Sequence, residues 1–296
     1  ILSLLNYKRY TLKSLPLEGA SLILDEIHAY DGETFALVKG MLRHLSETFG
    51  TKICVMSATF PHKFQQELSF LKPVLLTSAN NGRDEYQARR RTRFRYIDDT
   101  LETHLGDILN RCLAPGRVLI VLNTVKRAQN TYQEIREHIV KSHSDLNEED
   151  VMLLHSRFTF ADRATKEARL DPAESEFPKV FVATQVVEVS LDISYDTMFT
   201  EACYPPDLVQ RLGRVNRAGG ITENINVFVY RPESHFPYEE SPLLKCGLPL
   251  VKEWEPKIRS EWDYLTMANQ FYDEVWDQFQ RDDDEGRYEE VWRKLR

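Results

Sequence analysis

The chain has 296 residues, 42% of them hydrophobic and 28% charged, with a formal net charge of -8. That balance suits a globular protein with a real core, built as one large or two medium domains. It excludes a uniformly basic nucleic-acid binder, since the summed field repels phosphate and any such contact needs a local positive patch.

In chain order, residues 1–18 open on an apolar segment, as if in the middle of a domain. Ser21–Asp31 (SLILDEIHAYD) reads as a buried strand, Leu22, Ile23 and Leu24, ending in Asp25-Glu26-Ile27-His28. Phe35, Val38, Leu42, Leu45 and Phe49 fall at helical spacing, which predicts an amphipathic helix over Glu33–Phe49 with Gly50 as its stop. Lys52–Thr59 (KICVMSAT) is a second buried strand that Pro61 ends. Asn80–Tyr96 breaks the apolar pattern with a basic cluster, Arg89, Arg90, Arg91, Arg93 and Arg95. It reads as a linker, either a solvated, strand-like connector or a backbone contact for nucleic acid.

A new alternation follows. Helices are expected over Leu101–Cys112, Ala128–Ile139 and Ala161–Leu170, and strands over Val118–Leu122, Val151–Leu154 and Val180–Ala183. Met198–Glu201 and Asn226–Tyr230 can supply more strands. Strands alternating with helices argue for a parallel sheet covered on both faces. After a loop at Pro232, Glu261–Phe279 reads as a helix whose aromatic stripe suits packing, and Arg281–Arg296 as a charged end. The division expected is 1–80, a linker at 81–98, a complete α/β domain at 99–232, and a helical extension at 233–296. Cys54, Cys112, Cys203 and Cys246 form no C-x-x-C pair, so neither a zinc site nor a disulfide framework is indicated. No apolar run is long enough to span a membrane and no signal-peptide order opens the chain, so a cytoplasmic location is the default.

Two adjacent carboxylates at the carboxyl end of an apolar strand sit where open α/β sheets place ligands. Magnesium-dependent phosphoryl transfer needs a carboxylate near the metal and a group that positions the attacking water, and Asp25 and Glu26 can fill those roles. An acidic strand end that caps the next helix is the plainer alternative. In Gln210-Arg211-Leu212-Gly213-Arg214-Val215-Asn216-Arg217, Arg214 and Arg217 lie three apart and Gln210 four before Arg214. On a helix these would share one face and aim at one phosphate, which the planar arginine fork grips bidentately. Surface arginines on a solvated helix are the alternative.

In order, D-E-I-H, S-A-T, A-T-Q-V-V-E-V-S-L-D-I and Q-R-L-G-R-V-N-R-A-G resemble superfamily 2 helicase motifs II, III, V and VI. With N-T-V-K-R-A at Asn123–Ala128 and L-L-H-S-R-F at Leu153–Phe158, the set most resembles the Cas3 helicase-nuclease family of type I CRISPR systems. The resemblance implies RecA-like parallel sheets covered by helices, a partial first domain followed by a complete second one. It implies ATP and Mg2+ as cofactors, with Asp25, Glu26, Arg214 and Arg217 catalytic, Asp25 serving magnesium through water and Glu26 the attacking water. His28, Ser57, Thr59 and Gln210 would couple nucleotide state to domain movement, and Asp192 would lie near the ribose. Asn123, Thr124, His155, Ser156 and Thr184 would line a single-stranded DNA track, with Arg89–Arg95 and Lys126-Arg127 as candidate positive surface. A CRISPR effector complex is the further partner implied.

Two departures stand out. There is no Gly-Lys pair anywhere in the chain, so no P-loop cradles phosphates. The family's early helicase motifs and its His-Asp nuclease dyad are also missing. The expectation is a C-terminal part of a longer or split protein that hydrolyses ATP only when an N-terminal part completes it. Alternatives are a non-enzymatic single-strand-binding or docking module, and a fragment of a DEAH-type RNA helicase. The Asn216-Arg217 pair disfavours the last.

Overall fold

The computed structural model describes residues 18–27, 32–57, 60–71, 81–142, 146–171, 176–188, 191–217, 219–220, 224–238, 243–257 and 260–282. It divides into two compact units, 1–78 with 268–296, and 79–267.

In the first unit, β1 (Ser21–Leu24) pairs in parallel with β2 (Lys52–Val55), Leu22 opposite Ile53. Helix α1 (Gly32–Phe49) makes the crossover, and α2 (His62–Glu67) follows β2. Side chains alternate along both strands. Leu22, Leu24, Ile53 and Val55 pack against a cluster of Ile27, Phe35, Val38, Leu42, Phe64 and Leu68. Tyr272 and Trp276 of the C-terminal helix complete that cluster. The expectation that Leu22–Leu24 are buried throughout is corrected at Ile23, which is 67% exposed. Its face of the two-stranded sheet carries Cys54 as well, and is open. Phe64 is the pivot of the core, edge-on to Phe35 at 4.5 Å, Tyr272 at 5.2 Å and Trp276 at 5.3 Å.

The second unit opens with α3 (Asn81–Ala88) and β3 (Phe94–Ile97), both inside the stretch expected to be a linker. There follow α4 (Leu105–Leu113), β4 (Val118–Val121), α5 (Val125–Lys141), β5 (Val151–Leu154), α6 (Phe160–Ala168), β6 (Val180–Ala183), β7 (Thr197–Glu201), α7 (Pro205–Leu212), β8 (Val227–Tyr230) and α8 (Leu248–Trp254). Helix α9 (Glu261–Asp282) starts in this unit, and Ala268 onward belongs to the first. All six strands are parallel, in the order β3-β8-β7-β4-β6-β5.

Continuous apolar runs such as Val118–Val121 arise because this sheet is covered on both faces. Leu119, Val121, Met152, Leu154, Phe181 and Ala183 point to one cluster, shared with Leu208, Leu212, Val251 and Met267. Val118, Ile120, Val151, Leu153, Val180 and Val182 point to the other, shared with Ile108, Ala128 and Ile135. Burial pushes the Cys112 thiol in this second cluster up to about 12, so it is an inert core group. Residues of the expected C-terminal extension, Leu248, Val251, Tyr264 and Met267, therefore serve the core of this unit. Among the described residues no helix is long and apolar enough to cross a membrane. Residues 283–296 of the charged end lie outside the described residues.

Candidate functional site

Because every strand of the second sheet runs the same way, their carboxyl ends share one edge. β4 leads into Asn123 and Thr124, β5 into His155 and Ser156, β6 into Thr184, and β7 ends at Glu201. Asn123 is 3% exposed. Its backbone N–H donates to Glu201 Oε2 at 2.6 Å, and its Nδ2 donates to the Ala202 carbonyl at 2.9 Å. Thr124 caps α5, its Oγ1 accepting from the Arg127 N–H at 3.4 Å. Thr184 is buried, and Ser156 is exposed.

His155 is buried and stacks on Phe158, ring centroids 4.3 Å apart. Its Nδ1 accepts from the Arg157 N–H at 3.3 Å, so a neutral ring carries its proton on Nε2, beside Gln129 at 3.2 Å. Burial, followed by the charges of Arg157 and Lys166, holds its pKa below the ordinary histidine value.

The sequence reading missed the group that ties this edge together. Arg211 is fully enclosed, and each of its five N–H groups has an acceptor. Nε donates to Glu188 Oε1 at 2.8 Å, and Nη1 to Thr200 Oγ1 at 2.8 Å and the Glu201 carbonyl at 2.9 Å. Nη2 donates to Asn123 Oδ1 at 3.1 Å and the Tyr238 hydroxyl at 2.9 Å. Burial raises the Glu188 carboxyl in spite of Arg211. Burial and the neighbouring Glu188 push Asp207 up to about 8. Arg127 likewise pairs with Glu102, Glu201 and Glu233, so it adds little to a positive surface. For the Arg127 pairing the usable signal was a charge ending an apolar strand, Glu201 after MFT, which has to find a buried partner.

The helical-face expectation for Gln210, Arg214 and Arg217 is corrected. Helix α7 ends at Leu212 with Gly213 as its C-cap, so half-buried Gln210 is the last of the three on it. Val215 then bridges to Tyr195, and Asn216 takes a positive φ of 48°. The turn sends the two arginines apart. Arg214 points inward, donating to the carbonyls of Val187 at 2.7 Å, Glu188 at 2.8 Å and Leu191. Arg217 points outward, 44% exposed, paired with Asp192 at 3.1 Å. The Arg89–Arg95 cluster is partly engaged inside the unit, since Arg91 binds Glu261 and the Arg217 carbonyl.

In the first unit, Asp25 stands exposed beyond β1 with its Oδ1 accepting from the Glu26 N–H at 2.9 Å. Glu26 has a φ of 52°; with Asn216 it completes the described non-glycine residues in the left-handed region. Such backbone is rare outside glycine and collects at functional turns. Ser57 is half-buried after β2, and His28 and Thr59 lie outside the described residues.

A six-stranded parallel sheet with polar groups gathered at its carboxyl edge, and an Arg-rich turn after α7, define a RecA-like α/β domain. Residues 114–220 match the family described as CRISPR-associated nuclease/helicase Cas3, C-terminal. The chain is 29% identical over 248 residues to the CRISPR-associated endonuclease/helicase Cas3 of Escherichia coli, covering 73% of this chain and 27% of that protein. The T. fusca Cas3-ADP crystal structure superposes with a TM-score of 0.73 at 21% identity, covering 99% of this chain and 40% of that one. A chain of a CRISPR RNA-guided surveillance complex, pre-nicking, gives 0.67 at 21% identity over 99% of this chain and 42% of its own. The chain belongs to the Cas3 family, as a part of it: it spans 24% to 39% of the curated relatives' length.

Proposed function

We propose that this chain supplies a second motor domain, and the acidic motif of a first, to a Cas3-type ATP-dependent translocase on single-stranded DNA in CRISPR interference. The observation that carries the reading is the outward turn of Arg217, paired with Asp192, while Arg214 is anchored inward on the Val187 carbonyl. An arginine held this way on a helicase-type domain suits charge stabilisation on a phosphoryl group. Bound ATP with Mg2+ supplies the phosphoryl transfer that drives movement. The donor set fits: Asp25 presents an exposed carboxylate, the hard oxygen ligand that magnesium takes together with water.

In this reading Asp25 would hold the metal and Glu26 would orient the attacking water. Arg217 meets the phosphate, and Arg214 is a positioning residue that holds the loop around Val187 and Leu191. Asp192 lies near the ribose. Ser57, His28, Thr59 and Gln210 relay nucleotide state. Exposed Ser156 and the Thr124 hydroxyl contact strand phosphates, while buried Asn123, His155 and Thr184 hold the loops that carry them. The effector-complex partner is supported by the likeness to a surveillance-complex chain.

The lack of any Gly-Lys pair favours a second reading, a strand-binding or docking module without hydrolysis. ATP hydrolysis measured with and without single-stranded DNA separates the two. The motor reading expects silence from this chain alone and turnover once a polypeptide bearing the P-loop is added. Silence in both settings, with the added polypeptide bound, sinks it.

A further inference from the structure

Phe160 is the most exposed large apolar side chain among the described residues, at 89%. Burial elsewhere in the fold gains nothing from it. It opens α6, directly after the loop that carries His155 and Ser156 beyond β5. That loop is braced from below. The His155 and Phe158 rings stack with 21° between their planes, and the Lys166 ammonium sits 4.7 Å from the Phe158 centroid. Thr159 Oγ1 fixes the start of α6 by accepting from the Asp162 N–H at 3.2 Å.

The surroundings are positive in an otherwise acidic chain. Arg157, Arg163, Lys166 and Arg169 stand against Asp162 and Glu167 between residues 155 and 170. Arg163 is engaged by Glu167 at 2.5 Å, whereas Arg157 is exposed and has no carboxylate partner among the described residues. Burial first, and Arg169 next, lower the Lys166 pKa, as Arg157 and Lys166 help to do for His155. A ring in water at the capped start of a helix, close in sequence to unmatched positive charge, has the chemistry of a base-stacking contact.

We propose that Phe160 stacks on an unpaired base while Arg157 holds the adjoining phosphate, making residues 156–160 a sequence-tolerant contact for single-stranded nucleic acid. Duplex is discriminated against, because paired and stacked bases offer no free face. The proposal rests on the motor reading above and adds to its strand track the group that distinguishes single from double strands.

The test is equilibrium binding, without nucleotide, of fluorescein-labelled oligo(dT) and of a duplex of equal length to the 296-residue chain. Phe160→Ala is expected to weaken oligo(dT) binding about 5- to 100-fold, with duplex affinity and thermal unfolding unchanged. Phe160→Trp retains affinity, and its added fluorescence is quenched on binding. Arg157→Ala lowers the salt slope of binding by about 0.7. Unchanged affinity in Phe160→Ala overturns the proposal while leaving the motor reading intact; no binding by the native chain overturns both. Equal loss of single-strand and duplex binding in Phe160→Ala overturns stacking in favour of a disturbed loop. Normal oligo(dT) affinity with lost binding to a CRISPR effector complex assigns the ring to a protein interface and also overturns it.

Discussion

Arg211 Nε lies 2.8 Å from Glu188 Oε1, inside a domain that leaves the guanidinium no solvent at all. Removing the cation strands a buried carboxylate and four other acceptors. Arg211→Ala is expected to destabilise the chain by about 3–5 kcal/mol, read from urea midpoints. Arg211→Lys recovers only a part, because an ammonium cannot reproduce the planar fork. Equal stability of Arg211→Ala and the native chain would remove the network from any account of the fold.

Asp207 gives the same region a pH dependence. Burial, with Glu188 beside it, lifts its carboxyl from the ordinary 3.8 to about 8, against the pull of Arg211. The folded chain therefore keeps a proton that the unfolded chain releases. Its contribution is fully present below the ordinary carboxyl range and is lost as pH rises through the window from about 4 to 8. One proton allows a slope no steeper than about 1.4 kcal/mol per pH unit. Asp207→Asn is expected to flatten the stability profile across that window, measured as denaturant midpoints at several pH values.

His155 has the opposite sign. Its pKa is held below 6.5, first by burial and then by Arg157 and Lys166. As pH falls below the ordinary value the unfolded chain takes up a proton that the folded ring refuses, so stability declines. An NMR titration is expected to place the His155 midpoint below the ordinary histidine value of 6.5.

Arg214 and Arg217, although three residues apart, are predicted to fail differently. In the completed motor, Arg217→Ala lowers ATP turnover by at least about a thousandfold and spares single-strand affinity. Arg214→Ala lowers turnover and also the thermal midpoint, since it releases the carbonyls of Val187, Glu188 and Leu191. Asp192→Asn changes stability by less than about 1 kcal/mol, as expected for an exposed ion pair. A loss of DNA binding in Arg217→Ala would count against its proposed role.

The first unit depends on one ring. Phe64→Ala removes the partner of Phe35, Tyr272 and Trp276 and is expected to cost about 3–5 kcal/mol. Calorimetry that resolves the transitions of the two units would show the loss in one of them.

The apolar alternation made most of the second sheet legible. Val151–Leu154 and Val180–Ala183 have the bounds read from sequence because runs buried on both faces end sharply at polar residues. The polar ends of β4, β5 and β6 were legible for the same reason. β3 was hidden among arginines, since an edge strand needs apolar residues only on its inner side, here Phe94. Spacing alone could not reveal the divergence of Arg214 and Arg217, because helical periodicity carries no information about where a helix stops. Gly213 is a stop of the kind read at Gly50, whereas the left-handed backbone of Asn216 shows only in the folded turn. The Arg211 network was illegible because its partners are scattered from Asn123 to Tyr238.

Along the carboxyl edge the spatial order is Glu201, Asn123, Thr184, His155, while the chain visits Asn123 first and Glu201 last. The edge is thus a discontinuous surface, stitched from the ends of four strands that three crossovers join. Extra residues at the amino ends of these strands would lengthen a connection and leave the surface untouched. The same residues inserted at the carboxyl ends would interrupt it. Tolerance to insertion should therefore be polarised across the sheet, and no linear peptide cut from one motif could reproduce what the folded edge presents.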